Sequence, residues 1–242
     1  MARGISNRLT MLLVVLLGIS HDMVAQQAPQ ARRPQGRALG DAAGRPPLLF
    51  REEWKQPPYT GELDDVKRRI RVTDEAINNP NLELKLYGPD IQDLLVAVHE
   101  GRHDLWTGLE NSPIAVTLRD KNNYIDLTGR ARLMWITRTQ SLHVIHPVIK
   151  LADGTLVAGS LAISTDGDFL ESEVAFGNQR WYKLDPQKLV TTIEVKNPDL
   201  SRVDEVGFVD LMPGGGKGFA GWSNVSVIEV YANPAPRGTA SR

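Results

Sequence analysis

From Tyr124 to Tyr231 this chain alternates apolar and polar side chains and is cut at short intervals by turn residues. A strand turns successive side chains to opposite faces, so a run of half-apolar strands is buried by packing one sheet against another. The segments are Tyr124–Gly129, Arg130–Arg138, Leu142–Leu151 with a turn at Asp153-Gly154, Trp181–Asp185, Asp199–Phe208 and Val225–Tyr231. Upstream, Pro47–Trp54 reads as a first strand broken by Gln56–Gly61. Asn81–Tyr87 puts Leu82, Leu84 and Leu86 on one face, and Leu94–Val98 and Ile114–Leu118 are further short strands. Glu62–Ile77 fits both a helix and a strand, and is taken as irregular with one short element. Frequent Gly and Pro turns with scarcely any helical period define an all-β sandwich.

Several positions refine that expectation. Ala131–Arg138 is apolar on both faces, with Leu133 and Trp135 on one and Met134 and Ile136 on the other, as in a strand inside a sheet and covered on both sides. Pro147 lacks a ladder donor and demands an edge or a bulge. Asp153-Gly154 is a type I′ hairpin signal. Asp199 is placed to cap a short turn. Trp135 and Trp181 fall inside strand patterns and belong to the core, whereas Trp106 and Trp222 stand beside turns and are the candidates for exposed aromatic faces.

The N-terminus reads as an export signal over residues 1–25. Arg3 and Arg8 precede the apolar run Met11–Ile19, and Ala25 offers a cleavage point. The run is short of the ~20 residues that span a bilayer, so no transmembrane segment is expected after cleavage and the protein is expected to be periplasmic or extracellular. Residues 26–47 are rich in Gln, Ala, Arg, Gly and Pro and read as a flexible linker. A single domain is expected over 48–233, with a disordered tail over 234–242. Residues 1–47 carry six Arg against Asp22 and Asp41, a net of +4; the whole chain is −1, so the remainder is −5. That balance argues against nucleic acid as the partner. There is no cysteine to staple the fold, but roughly 185 residues suffice for one core.

The order of the short motifs resembles that of the secreted galactose-binding-like sandwiches: Tyr124-Ile-Asp-Leu-Thr-Gly129, the long strand through Trp135, Trp181–Leu184, Asp199–Phe208 ending Glu-Val-Gly-Phe, and a final Ile228-Glu-Val230. The resemblance covers somewhat under half the chain. It implies a jelly-roll connection, carbohydrate or glycoconjugate binding by loops or one sheet face, and in many members a structural calcium, although this sequence lacks a clear metal-loop motif.

The residues that could carry chemistry fall into groups. A sugar site needs aromatic faces with Arg, amide or carboxylate partners, which points to Trp106, Trp222, Arg132 and Arg138. His99-Glu-Gly-Arg-His103 matches H-E-x-x-H, whose zinc chemistry needs a helix to bring both imidazoles to one face; the β-prone flank opposes that. The glycines of Gly216–Gly221 are followed by a strand-like run, so no nucleotide site is expected; a flap is one reading of that loop. If the protein is an enzyme, a glycan lyase or hydrolase, then His143, His146, Asp166, Asp168 and Glu171 are the candidate acids and bases. The leading expectation is an exported non-catalytic carbohydrate-binding sandwich; the others are that enzyme and a protein-binding sandwich.

Overall fold

A computed structural model of the chain describes residues 44–58, 70–89, 91, 94–99, 101–165, 167–213 and 221–237. Its strands are β1 (Leu48–Glu53), β2 (Ile70–Arg71), β3 (Leu82–Tyr87), β4 (Leu95–His99), β5 (Arg102–Trp106), β6 (Ile114–Asp120), β7 (Asn123–Asp126), β8 (Arg132–Ser141), β9 (Ile145–Leu151), β10 (Leu156–Gly159), β11 (Leu170–Ala175), β12 (Trp181–Leu184), β13 (Thr191–Val195), β14 (Val203–Asp210), β15 (Gly221–Tyr231) and β16 (Asn233–Pro236). A seven-stranded antiparallel sheet runs β11-β8-β15-β5-β4-β2, with β1 also on β15. A nine-stranded sheet runs β13-β12-β10-β9-β14-β6-β3, with β7 on β14 and β16 on β7. The chain passes repeatedly from one sheet to the other, as between β3 and β4, β5 and β6, β8 and β9, and β14 and β15. The expected all-β sandwich is the fold of this protein.

Alternation decides which side chains meet between the sheets. Trp135, Leu133, Leu105 and Ile228 from one sheet pack with Leu118, Ile149, Val206 and Phe208 from the other, all at 0% exposure. Burying each such side chain contributes about 1.5–3 kcal/mol. Trp135 and Trp181 both lie in this core, and the Trp135 Nε1–H donates to Ser172 Oγ at 3.1 Å, so burial leaves no donor stranded. Leu82 and Leu84 face inward as their spacing requires. β8 lies between β11 and β15, with Met134 and Ile136 half-buried on its outer side.

Several details differ from expectation. Only Gly154 takes a positive φ at the β9–β10 turn, 89°, and its N–H donates to Leu151 O at 2.9 Å. This is a three-residue turn with glycine in the left-handed position, not a two-residue type I′ turn, which needs two positive φ values. Pro147 sits in β9 between β10 and β14, but the β10 ladder ends at Ala158 opposite Val148. Pro147 therefore occupies a local edge. The expected tail begins instead as a strand: Asn233–Pro236 pairs with β7, where an edge position tolerates its prolines. The last linker residues are also docked, since Arg45 pairs with Glu173 at 3.4 Å and lies 3.7 Å over the Tyr231 ring. The expected signal segment, most of the linker and the Gly216–Gly221 flap up to Ala220 lie outside the described residues, while Gly221 opens β15. No helix among the described residues is long and apolar enough to cross a membrane.

Asp204 shows how the sandwich rim is held. Burial works against its charge, but hydrogen bonds from Arg237 and from Arg119 Nε at 3.1 Å more than offset it and hold the carboxyl below the usual aspartate range. A depressed carboxyl contributes stability that is present above its unfolded value, about 3.9, and is lost as pH falls through the lower folded value. Asp204→Asn is expected to flatten this acid limb. Urea midpoints followed from neutral pH to pH ~3 test it, and equal slopes for both proteins would refute the assignment.

Candidate functional site

Two strands compete for one edge of β15. Its C-terminal half, Val227–Tyr231, pairs with β1, whereas Asn224 and Val225 pair with Trp106 and Leu105 of β5. Where β1 takes over, the β4–β5 hairpin has no partner on β15. A bulge falls between Val225 and Val227 at this point. The hairpin tip, Gly101–His103, lies with Arg51, Glu53, Trp54, Ile136, Ser226 and Val227 around a depression of about 360 Å³. On the other side Arg102 joins Arg138, Asp168, Phe169 and Leu170 around a cleft of about 410 Å³. Arg102 is common to both.

The outer face of this sheet carries the polar and aromatic groups in rows set by register. Arg138 of β8, Asn224 of β15, Trp106 of β5 and Leu95 of β4 stand directly opposite one another across the four strands. Trp222 lies two residues before Asn224 on the same face, about 7 Å along the strand. Its ring meets Trp106 at 6.3 Å and 59°, and both pack with Leu95, Ala97 and Leu109. One row further on, Asp104 is fully buried. Its Oδ2 accepts the His99 Nδ1–H at 2.7 Å and its Oδ1 accepts from Asn224 Nδ2. Because a carboxylate only accepts, this contact places the proton on His99 Nδ1 and leaves Nε2 as the free ring nitrogen. Phe169 stands beside the pair, with its ring 6.2 Å from that of His99 and 5.7 Å from the Arg138 guanidinium carbon.

The sequence-derived candidates distribute unevenly over this surface. Trp222 is half-buried and Arg138 lines the cleft. Trp106, expected to be exposed, is only 4% exposed because it lies under the apolar cluster that includes Trp222. Arg132 shares the face but lies six residues along β8 from Arg138, where its Nε–H donates to Glu173 at 3.0 Å. It shares Glu173 with Arg45, away from the cleft. Asp168 lines the cleft, Glu171 is exposed on β11 opposite Ile136, and Asp166 lies outside the described residues.

The two candidate histidines of β9 are elsewhere. His146 is half-buried on the nine-stranded sheet, with Nδ1 3.1 Å from Gly159 O. His143 is fully buried and bonded to Asp210 at 2.7 Å, which removes it from any contact with a polymer in solution. The H-E-x-x-H run forms a hairpin, not a helix: His99 pairs with Arg102 and Val98 with His103, so the two imidazoles alternate across the ladder. The sequence reading missed Asp104 and Asn224. Asp104 was legible only as a polar residue two before Trp106 on a strand, and nothing local pointed to Asn224, 120 positions away.

No protein-family model matches this sequence, and no curated protein matches it. Among solved structures the chain is similar to the family 11 carbohydrate-binding module of the cellulosomal cellulase Lic26A-Cel5E of Clostridium thermocellum, at 12% identity over 64% of this chain and 85% of that chain, with a TM-score of 0.38. The family 11 module from Clostridium thermocellum in complex with a β-1,3-1,4-mixed-linked tetrasaccharide gives 13% identity over 69% of this chain and 97% of that chain, with a TM-score of 0.40. Arcelin-5, a lectin-like defense protein from Phaseolus vulgaris, gives 7% identity over 65% and 94%, with a TM-score of 0.35. These are likenesses of strand layout and transfer no residue to this chain.

Proposed function

We propose that this is an exported, non-catalytic β-sandwich protein that binds carbohydrate on the outer face of its seven-stranded sheet. The observation that carries the reading is half-buried Trp222 on the same sheet face as the cleft lined by Arg102, Arg138 and Phe169, with the buried Asn224 and Trp106 holding that face in register beneath. A sugar ring offers C–H surface to an aromatic face and hydroxyls to guanidinium groups, and the accessible part of this face carries both in Trp222 and Arg138. Export rests on the Arg3/Arg8 and Met11–Ile19 pattern.

The test uses the chain from Gln26 onward against a panel of polysaccharides, following retention and products together. Retention without product is expected. Trp222→Ala should weaken it by about 30-fold or more, the effect of removing an aromatic anchor. Unchanged retention in that variant would sink the site assignment. A catalytic reading draws on the His99–Asp104 pair, which is arranged as a general base with Nε2 free. It requires product that disappears in His99→Ala while retention persists.

A further inference from the structure

We infer that the ligand carries an anionic group, a uronate carboxylate or a sulfate ester, held by Arg102 and Arg138. This rests on the carbohydrate reading above and narrows its substrate class. Three arginines of the seven-stranded sheet and its margin are visibly neutralised. Arg45 and Arg132 pair with Glu173, and Arg51 pairs with Glu53 and Glu229. Arg102 and Arg138 make no ion pair among the described residues, and both line the same cleft of about 410 Å³. Residues 48–242 carry a net charge of −5, so this positive pair stands out against an acidic protein.

The chemistry of Arg138 gives the direction. Its Nε is out of solvent and has no acceptor within hydrogen-bonding distance among the described residues. A guanidinium presents paired N–H groups in a planar fork that matches two oxygens of one carboxylate or sulfate. Phe169 lies beside the guanidinium and excludes water from one side. Arg102 is exposed at the hairpin tip, where it can close on the same anion from the opposite wall. Among the described residues Asp168 is the acidic side chain lining the cleft. It disfavours a second anion there and can accept from a neighbouring hydroxyl. A neutral glycan would offer both guanidinium groups hydroxyl oxygens but no countercharge.

Affinity electrophoresis of the chain from Gln26 onward tests this, in gels containing polygalacturonate, alginate or dextran sulfate, their neutral counterparts galactan and dextran, or inorganic polyphosphate. Retardation is expected with at least one acidic polysaccharide and not with its neutral counterpart, and should decline with added salt. The polygalacturonate and dextran sulfate arms separate carboxylate from sulfate. Arg102→Gln and Arg138→Gln should each weaken retardation by about tenfold or more, and Arg138→Lys, which keeps the charge and loses the fork, should not restore it. Arg102 is exposed, so its variant reports on binding even if Arg138→Gln lowers the unfolding temperature. Equal retardation by neutral glycans, unmoved by the arginine variants, overturns the anionic inference and leaves the carbohydrate reading standing. Equal retardation by polyphosphate, lost in the arginine variants and indifferent to Trp222→Ala, overturns the carbohydrate reading and keeps an anion site. No retardation in any gel overturns both.

Discussion

Asp210→Ala is expected to lower folding stability by about 3–5 kcal/mol, the effect of breaking a buried polar cluster by removing its central charge. Asp210 closes β14 and is fully buried. Its Oδ2 accepts from His143 Nδ1–H at 2.7 Å, from Ser223 Oγ–H at 2.7 Å and from Thr107 Oγ1–H at 3.4 Å, while Oδ1 accepts from Met212 N–H at 3.0 Å. β14 belongs to the nine-stranded sheet; Ser223 lies in β15 and Thr107 follows β5, both of the seven-stranded sheet. One carboxylate therefore ties the two sheets together at one end of the sandwich. Without it, the His143 N–H and the Ser223 hydroxyl are stranded among buried atoms, and His143 Nε2 has no partner among the described residues. Equilibrium urea unfolding measures the loss. A change within about 0.5 kcal/mol, the usual range for surface substitutions, would show that the cluster is dispensable.

Glu205→Ala should be of similar size, about 3–5 kcal/mol, for the same reason within the nine-stranded sheet. Glu205 is 1% exposed. Its Oε2 accepts from the Tyr87 hydroxyl at 2.6 Å and from Thr117 Oγ1–H, and its Oε1 accepts from Lys150 Nζ at 3.0 Å. Burial, and then the hydrogen bond to Glu205, push the Tyr87 hydroxyl well above the usual tyrosine range, so it stays a donor. Removing the carboxylate leaves an ammonium and two hydroxyls competing for water at a mostly covered surface. Replacing Glu205 and Lys150 together by leucine should recover most of the loss, because a buried ion pair exchanged for apolar packing is often neutral. If the double variant is no more stable than Glu205→Ala, the loss comes from packing rather than from the unpaired charge.

The two clusters mark where sequence reasoning stops. Glu205 and Lys150 are adjacent in register, yet 55 positions separate them in the chain. Asp210 and His143 are 67 apart. Alternation showed which strands exist but not which strands are neighbours. The same limit explains Trp106. Its place beside a turn matched exposure, and only the pairing of β5 with β15 brings Trp222 over it. Arg132 and Arg138 looked equivalent on one strand; Glu173, supplied by β11, neutralises the first and leaves the second open to the cleft.

What the sequence determined by itself is the part governed by neighbours along the chain. The two-residue period of Leu82, Leu84 and Leu86 sets a strand with one buried side. The period through Leu133 and Trp135 sets a core strand, and the left-handed glycine at 154 sets a turn. These are local steric and solvation preferences, and together they require two packed sheets. The tertiary structure alone decided the rest: that β1 and β5 share one edge of β15, that the β4–β5 hairpin there parts from β15 beside a cleft, and that Asp104 meets both His99 and Asn224. The physical reason is that these contacts join segments far apart in the chain. Their closure entropy is met only by the sandwich as a whole, so no window of sequence encodes them.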